Sequence, residues 1–153
     1  MLAPEIRDYF SEMYVAARLA DRGWNVYLPR RDKGFDFIIT KEIEEQVLIR
    51  PVQVKGLYPT RDKKDRSAFG YTGRLTGLHD DMILAIAFFE RAERERPPAH
   101  VAFMPRSAIR PRERGGWRCV PAELAEGGPK PRRDSARFFD SAGMQAIESP
   151  EWR

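Results

Sequence analysis

The sequence contains a single cysteine, Cys119, so no disulfide can form within the chain and no thiolate cluster can hold a metal. Its two histidines, His79 and His100, are isolated and lack metal-ligand spacing, which assigns them ordinary structural roles. No apolar run approaches the roughly 20 residues that span a bilayer. Pro4 and Glu5 stand where a secretory leader would carry a basic and then an apolar stretch, so no signal peptide is expected. These absences together predict a cytoplasmic protein. Ser107 and Ser135 lack the glycines of a nucleophile elbow. Gly70-Tyr71-Thr72-Gly73 falls short of a phosphate-binding loop. There is no internal repeat and no low-complexity tract. Lysine is scarce, with 6 residues against 21 arginines.

What is present fits one domain over residues 1–153, with a core over about 5–105 and a C-terminal extension over 106–153. That length buries a core without covalent staples. The formal net charge is +4, compatible with a nucleic-acid partner. Many arginines fall late, among them Arg106, Arg110, Arg112, Arg114, Arg118, Arg132, Arg133 and Arg137. The guanidinium fork suits phosphate oxygens, although charged residues are in general mostly solvated surface.

Helical spacing of Ile6, Tyr9, Phe10, Met13, Ala17 and Ala20 predicts an amphipathic helix from Pro4 to Arg22, closed by Gly23. Strands are predicted over Trp24–Leu28, Phe35–Thr40 and Val47–Lys55, an antiparallel meander with a polar turn over Lys41–Gln46. Pro51 cannot donate to a ladder, so an irregularity is expected there. Leu57–Leu78 shows no period and reads as a long basic loop. The apolar run Met82–Phe89 reads as a buried strand, Glu90–Pro98 as a charged linker, and Ala99–Met104 as a further strand. A short turn at Ser107–Ile109 and a last strand at Trp117–Val120 follow. Ala122–Arg133 reads as loose, and Ser135–Glu148 as a closing helix with Phe138, Phe139 and Met144 inward.

Chemistry concentrates on the third strand. Gln53 and Lys55 are two apart and leave one face, roughly 7 Å apart along the backbone, with Val52 and Val54 on the other. Asp36 opens the neighbouring strand, ahead of apolar Phe37, Ile38 and Ile39, where a hairpin can bring it to Gln53 and Lys55. Glu12 sits at the edge of the first helix's apolar stripe. Such a set serves phosphodiester hydrolysis. Asp36 would be an anionic ligand to a hard cation, and the Gln53 amide oxygen and the Val54 backbone carbonyl would be neutral ligands. Glu12 would bind directly or through a water, and Lys55 would orient the attacking water or stabilise phosphate charge.

Helix-Glu, strand-Asp and then Gln-Val-Lys, in the stretches SEMYVAARLADRGWNVYLP, GFDFIIT and VQVKG, resembles the PD-(D/E)xK nuclease superfamily. Over about residues 5–105 the layout is similar to archaeal Holliday-junction resolvases and to group I intron homing endonucleases of that fold. The resemblance implies an α/β, restriction-endonuclease-like fold: a central mixed β-sheet flanked by helices, with an αβββ-(loop/α)-β core. It also implies Mg²⁺ dependence, with Mn²⁺ as a substitute, and DNA as substrate. Two positions depart from the pattern: Phe35 precedes the first acid in place of proline, and Gln53 occupies a slot usually held by Glu or Asp.

Two functions are therefore carried forward. The first is a Mg²⁺-dependent endodeoxyribonuclease of recombination, repair, restriction or homing type, acting on branched or specific duplex DNA as a homodimer or higher oligomer. The second is a catalytically degenerate DNA-binding or assembly module on the same fold. Arg61, Lys63, Lys64, Arg66, Arg74, Arg106, Arg110 and Arg112 are the expected nucleic-acid contacts.

Overall fold

A computed structural model describes residues 4–31, 34–59, 65–90 and 96–153, with side chains from residue 9 onward. Helix α1, Pro4–Asp21, ends in a Schellman motif. Gly23 N–H donates to the Ala20 carbonyl at 3.0 Å, and Trp24 N–H to the Leu19 carbonyl at 3.1 Å. Trp24 and Leu19 are both buried in the same apolar core. The buried face of α1 corrects the expected stripe. Ser11, Val15 and Leu19 are buried, whereas Tyr9, Ala17 and Ala20 are exposed.

The meander is present as β1 (Asn25–Tyr27), β2 (Phe37–Ile43) and β3 (Gln46–Leu57), antiparallel throughout. Its second turn is tighter than the sequence suggests. Glu44 and Glu45 alone connect β2 to β3, with φ of 50° and 67°, the mirror-image turn usually built from Asn-Gly. Pro51 produces no register shift: Ile38 pairs Pro51 between two regular pairs. Its ring nitrogen faces the other edge of β3, where pairing begins only at Val52. The missing donor is therefore never asked for.

Beyond β4 (Phe69–Gly73), β5 (Ile83–Phe88) lies parallel to β3, and β6 (His100–Pro105) runs antiparallel to β5. The five-stranded mixed sheet has the order β1-β2-β3-β5-β6. Every residue of β5 is buried because both faces of the sheet are covered. Ile83, Ala85 and Ala87 join Val52 and Val54 under α1 and helix α2 (Asp140–Ala146). Leu84, Ile86 and Phe88 face a second sheet.

That second sheet replaces several irregular segments of the expectation. The Leu57–Leu78 segment contains β4, with Phe69 and Leu75 buried. A 3₁₀ turn over Arg106–Ala108 leads to β7 (Arg110–Pro111). The last strand extends as β8 (Trp117–Ala125) and pairs with β9 (Gly128–Pro131), so the Ala122–Arg133 stretch holds both arms of a hairpin. The sheet order is β4-β8-β7, with β9 beside β8. The closing helix is broken: a 3₁₀ turn, Ala136–Phe138, precedes α2, and Phe139 between them bridges Ala102. Phe139 thus enters the core between the sheets while Met144 enters the helix-side core. Both helices cover one face of the mixed sheet; the other face carries strands.

Candidate active site

The site is built where β2 starts and β3 runs on alone. β2 pairs β3 up to Phe37–Val52, so beyond Val52 one edge of β3 has no strand beside it among the described residues. Even-numbered residues of β3 present their backbone groups to that edge, since Leu57 turns its carbonyl the other way, to Phe89 N–H. Asp36 fills the gap. Its N–H donates to the Val52 carbonyl at 2.9 Å, and its Oδ2 accepts the Val54 N–H at 2.6 Å. A charge-assisted bond of this kind is short and directional. The Val54 carbonyl opens on the same edge by strand geometry.

Gly34 sets up this approach. Its φ is +106°, and a Cβ there would lie 2.6 Å from the Gly77 backbone nitrogen. The turn before Asp36 is therefore packed against the segment that follows β4.

Gln53 and Lys55 leave β3 on the face toward the second sheet, opposite Val52 and Val54. Gln53 is 7% exposed, and its Oε1 is buried without a hydrogen-bond partner among the described residues. A buried amide oxygen left unpaired costs about 1–3 kcal/mol, so its position calls for a partner. Lys55 Nζ lies 5.1 Å from the centroid of the Tyr71 ring, a cation–π contact that directs the ammonium across the space between the sheets. Tyr71 is held in turn by its hydroxyl, which donates to the Arg74 carbonyl.

Glu12 stands at the same end of the sheet but on the helix side. Its neighbour Ser11 is fully buried against Gly56, the residue after Lys55, where any Cβ would collide with Ser11 Oγ. α1 is clamped there by Phe10 and Tyr58, whose rings lie 6.1 Å and 4.3 Å from Phe89. Asp36 is thus tied to β3 at Val54, between Gln53 and Lys55 in sequence, and partly buried Glu12 follows Ser11 on the helix side of the sheet.

Among the described residues, no group of three or more His, Cys, Asp or Glu side chains comes together as a metal cluster. The donor set here is of another kind: a carboxylate, a backbone carbonyl and an amide oxygen. All are hard oxygens of the type that Mg²⁺ and Mn²⁺ take. With an unpaired Gln53 oxygen one residue along β3 from the Val54 N–H that anchors the Asp36 carboxylate, the donor chemistry fits such a cation.

The basic residues distribute differently. Arg61, Lys63 and Lys64 lie outside the described residues. Arg66 donates to the carbonyls of Leu124 and Ala125 at 3.2 and 3.4 Å and ties β8 to the segment before β4. Arg106 donates to the Ile109 carbonyl at 3.0 Å and covers Trp117 at 5.1 Å. Both therefore work as structural ties. Arg74 is exposed beside Tyr71, and Arg110 and Arg112 are exposed at β7.

Tyr71, which the sequence places in a basic loop, lies on β4 and meets Lys55; the alternation of Phe69 and Tyr71 is the strand signal. The histidines are local ties: His79 Nδ1 accepts the Asp81 N–H, and His100 Nδ1 meets Asp140 Oδ2 at 2.7 Å. No family model matches this chain, and no curated protein matches it.

Proposed function

We propose that the chain is a metal-dependent DNA endonuclease of the PD-(D/E)xK type, on a restriction-endonuclease-like core. The observation that carries this reading is the buried, unpaired Gln53 Oε1 one residue along β3 from Val54, whose N–H anchors the Asp36 carboxylate. Helix, three-strand meander and parallel β5 in that order support the finer fold assignment.

Asp36, Gln53 and the Val54 carbonyl would hold Mg²⁺ or Mn²⁺, with Glu12 reaching it directly or through a water. When bound, the cation supplies Lewis-acid polarisation of a phosphoryl oxygen and a more acidic water. Asp36 keeps its place through the Val54 N–H, so the carboxylate is oriented before any ligand arrives. Lys55, steered by the Tyr71 ring, offers its ammonium to the phosphate or to the attacking water. Duplex cleavage by one site per chain favours a homodimer.

Incubating supercoiled and branched DNA with Mg²⁺ or Mn²⁺ tests the reading; nicks or resolved branches are expected with metal and none in chelator. Gln53 itself favours a second reading, since an amide attracts a dication less than a carboxylate does. In that case the fold is a DNA-binding or assembly module. A wild type inert on every DNA form with either metal, together with Asp36→Asn binding DNA normally, is the outcome that reading predicts.

A further inference from the structure

The second sheet carries a feature that the candidate site does not use. A groove of about 620 Å³ opens between β7, β8 and the segment leading into α2. Among the described residues, Arg110, Arg118, Arg132 and Arg137 line it against a single carboxylate, Asp134. Arg110 and Arg118 are direct cross-strand partners. Like charges opposite one another on a sheet are destabilising, and neither arginine has an ion-pair partner among the described residues. Arg132 is held by the Ser67 carbonyl at 3.3 Å and by Asp134 at 3.8 Å. Arg137 rests over the Phe138 ring at 4.6 Å. Two guanidiniums are thus preorganised and two are set side by side with their repulsion uncompensated.

We infer that this groove is a second anion site, built to hold the phosphodiester backbone of a nucleic-acid strand. Guanidinium forks match phosphate oxygens in geometry as well as charge. The four arginines come from three separate segments, β7, β8 and the stretch from β9 into α2, a spread that suits a run of backbone phosphates. The inference takes from the proposed function only that the polyanion is DNA; it needs neither metal nor cleavage.

The test is equilibrium binding of a short labelled DNA duplex in chelator, between about 50 and 200 mM salt, where counterion release is strong. Arg118→Ala/Arg137→Ala should lose about tenfold in affinity, and its log–log salt slope should fall in magnitude by about 2, near 0.9 for each phosphate no longer neutralised. Arg118→Lys/Arg137→Lys should keep most of the slope, and Arg114→Ala should change little. Matching melting curves certify that the variants fold. Unchanged affinity and slope in the alanine variant would overturn the inference. So would a groove that responds only to the small ion: inorganic phosphate raising the melting temperature of the wild type but not of the alanine variant, with DNA affinity equal in both. An inert enzyme whose slope still depends on these arginines sinks the nuclease reading and leaves the groove standing. Normal cleavage with an unmoved slope does the reverse.

Discussion

Gln53 and Asp36 divide the proposed work of one metal site unequally. Asp36 is the anion, and Gln53 supplies a neutral oxygen whose burial is otherwise uncompensated. Gln53→Glu should therefore tighten Mg²⁺ in a calorimetric titration, because a carboxylate enters at the same position. Asp36→Asn should weaken it by an order of magnitude or more and also weaken the Val54 bond, since a neutral acceptor makes a weaker hydrogen bond than a charged one. Equal metal affinity in all three proteins would remove both residues from the metal. Cys119 gives a contrasting case. Burial pushes its thiol up to about 12, so the reactive thiolate is nearly absent at neutral pH. Thiol reagents should label it only on unfolding; rapid labelling of the native protein would contradict its place in the core.

At the scale of elements, legibility varied with how local the determining physics was. β5 was visible because a strand covered on both faces must be apolar at every position. The Gln53–Lys55 face was visible because strand alternation fixes it. The buried face of α1 was not. Counting apolar residues favours Tyr9 and Ala17, whereas the structure buries Ser11, a small side chain chosen by its close approach to Gly56. The two-residue turn at Glu44-Glu45 was missed because its left-handed conformation is usually announced by Asn or Gly. The start of β8 is legible at Trp117–Val120, but its continuation and β9 are obscured by Pro121, Gly128, Pro129 and Pro131; they form because Ala122 and Leu124 bury against the mixed sheet.

The same contacts yield a test of positioning. Gly56→Ala places a methyl group against Ser11 and should lift α1, with a stability loss of about 1–3 kcal/mol, the usual cost of overpacking. Denaturant unfolding reads this directly. A wild-type midpoint would mean that α1 does not lie so close to β3.

Across the whole molecule, the C-terminal segment ties the layers together. Buried Arg50 donates to the carbonyls of Ile147 and Ser149, and Trp152 Nε1 donates to the Met82 carbonyl at 3.0 Å. Glu148 accepts from Arg22 at 2.9 Å and from Lys41 at 3.0 Å, joining the end of α1 to β2. Burial alone would raise the Glu148 carboxyl, but the hydrogen bonds and charges of Lys41 and Arg22 outweigh it and hold it below its ordinary 4.5. A depressed carboxyl stabilises the fold fully above its unfolded value and loses that contribution as pH falls through the lower folded one. Glu148→Gln should thus cost about 1 kcal/mol at pH 7, and the difference should shrink as pH falls below 4.5. A difference independent of pH would assign Glu148 a packing role only.

In the proposed nuclease, Lys55 acts at the phosphate while other groups hold the DNA. Single-turnover cleavage of supercoiled DNA in Mg²⁺, measured beside DNA affinity for wild type and Lys55→Ala, tests this most directly. The expected result is cleavage by the wild type, a loss of roughly 10²-fold or more in the variant, as for removal of other charge-stabilising groups, and affinity within a few-fold. Equal cleavage rates in the two proteins, or no cleavage by the wild type under any metal, would contradict it.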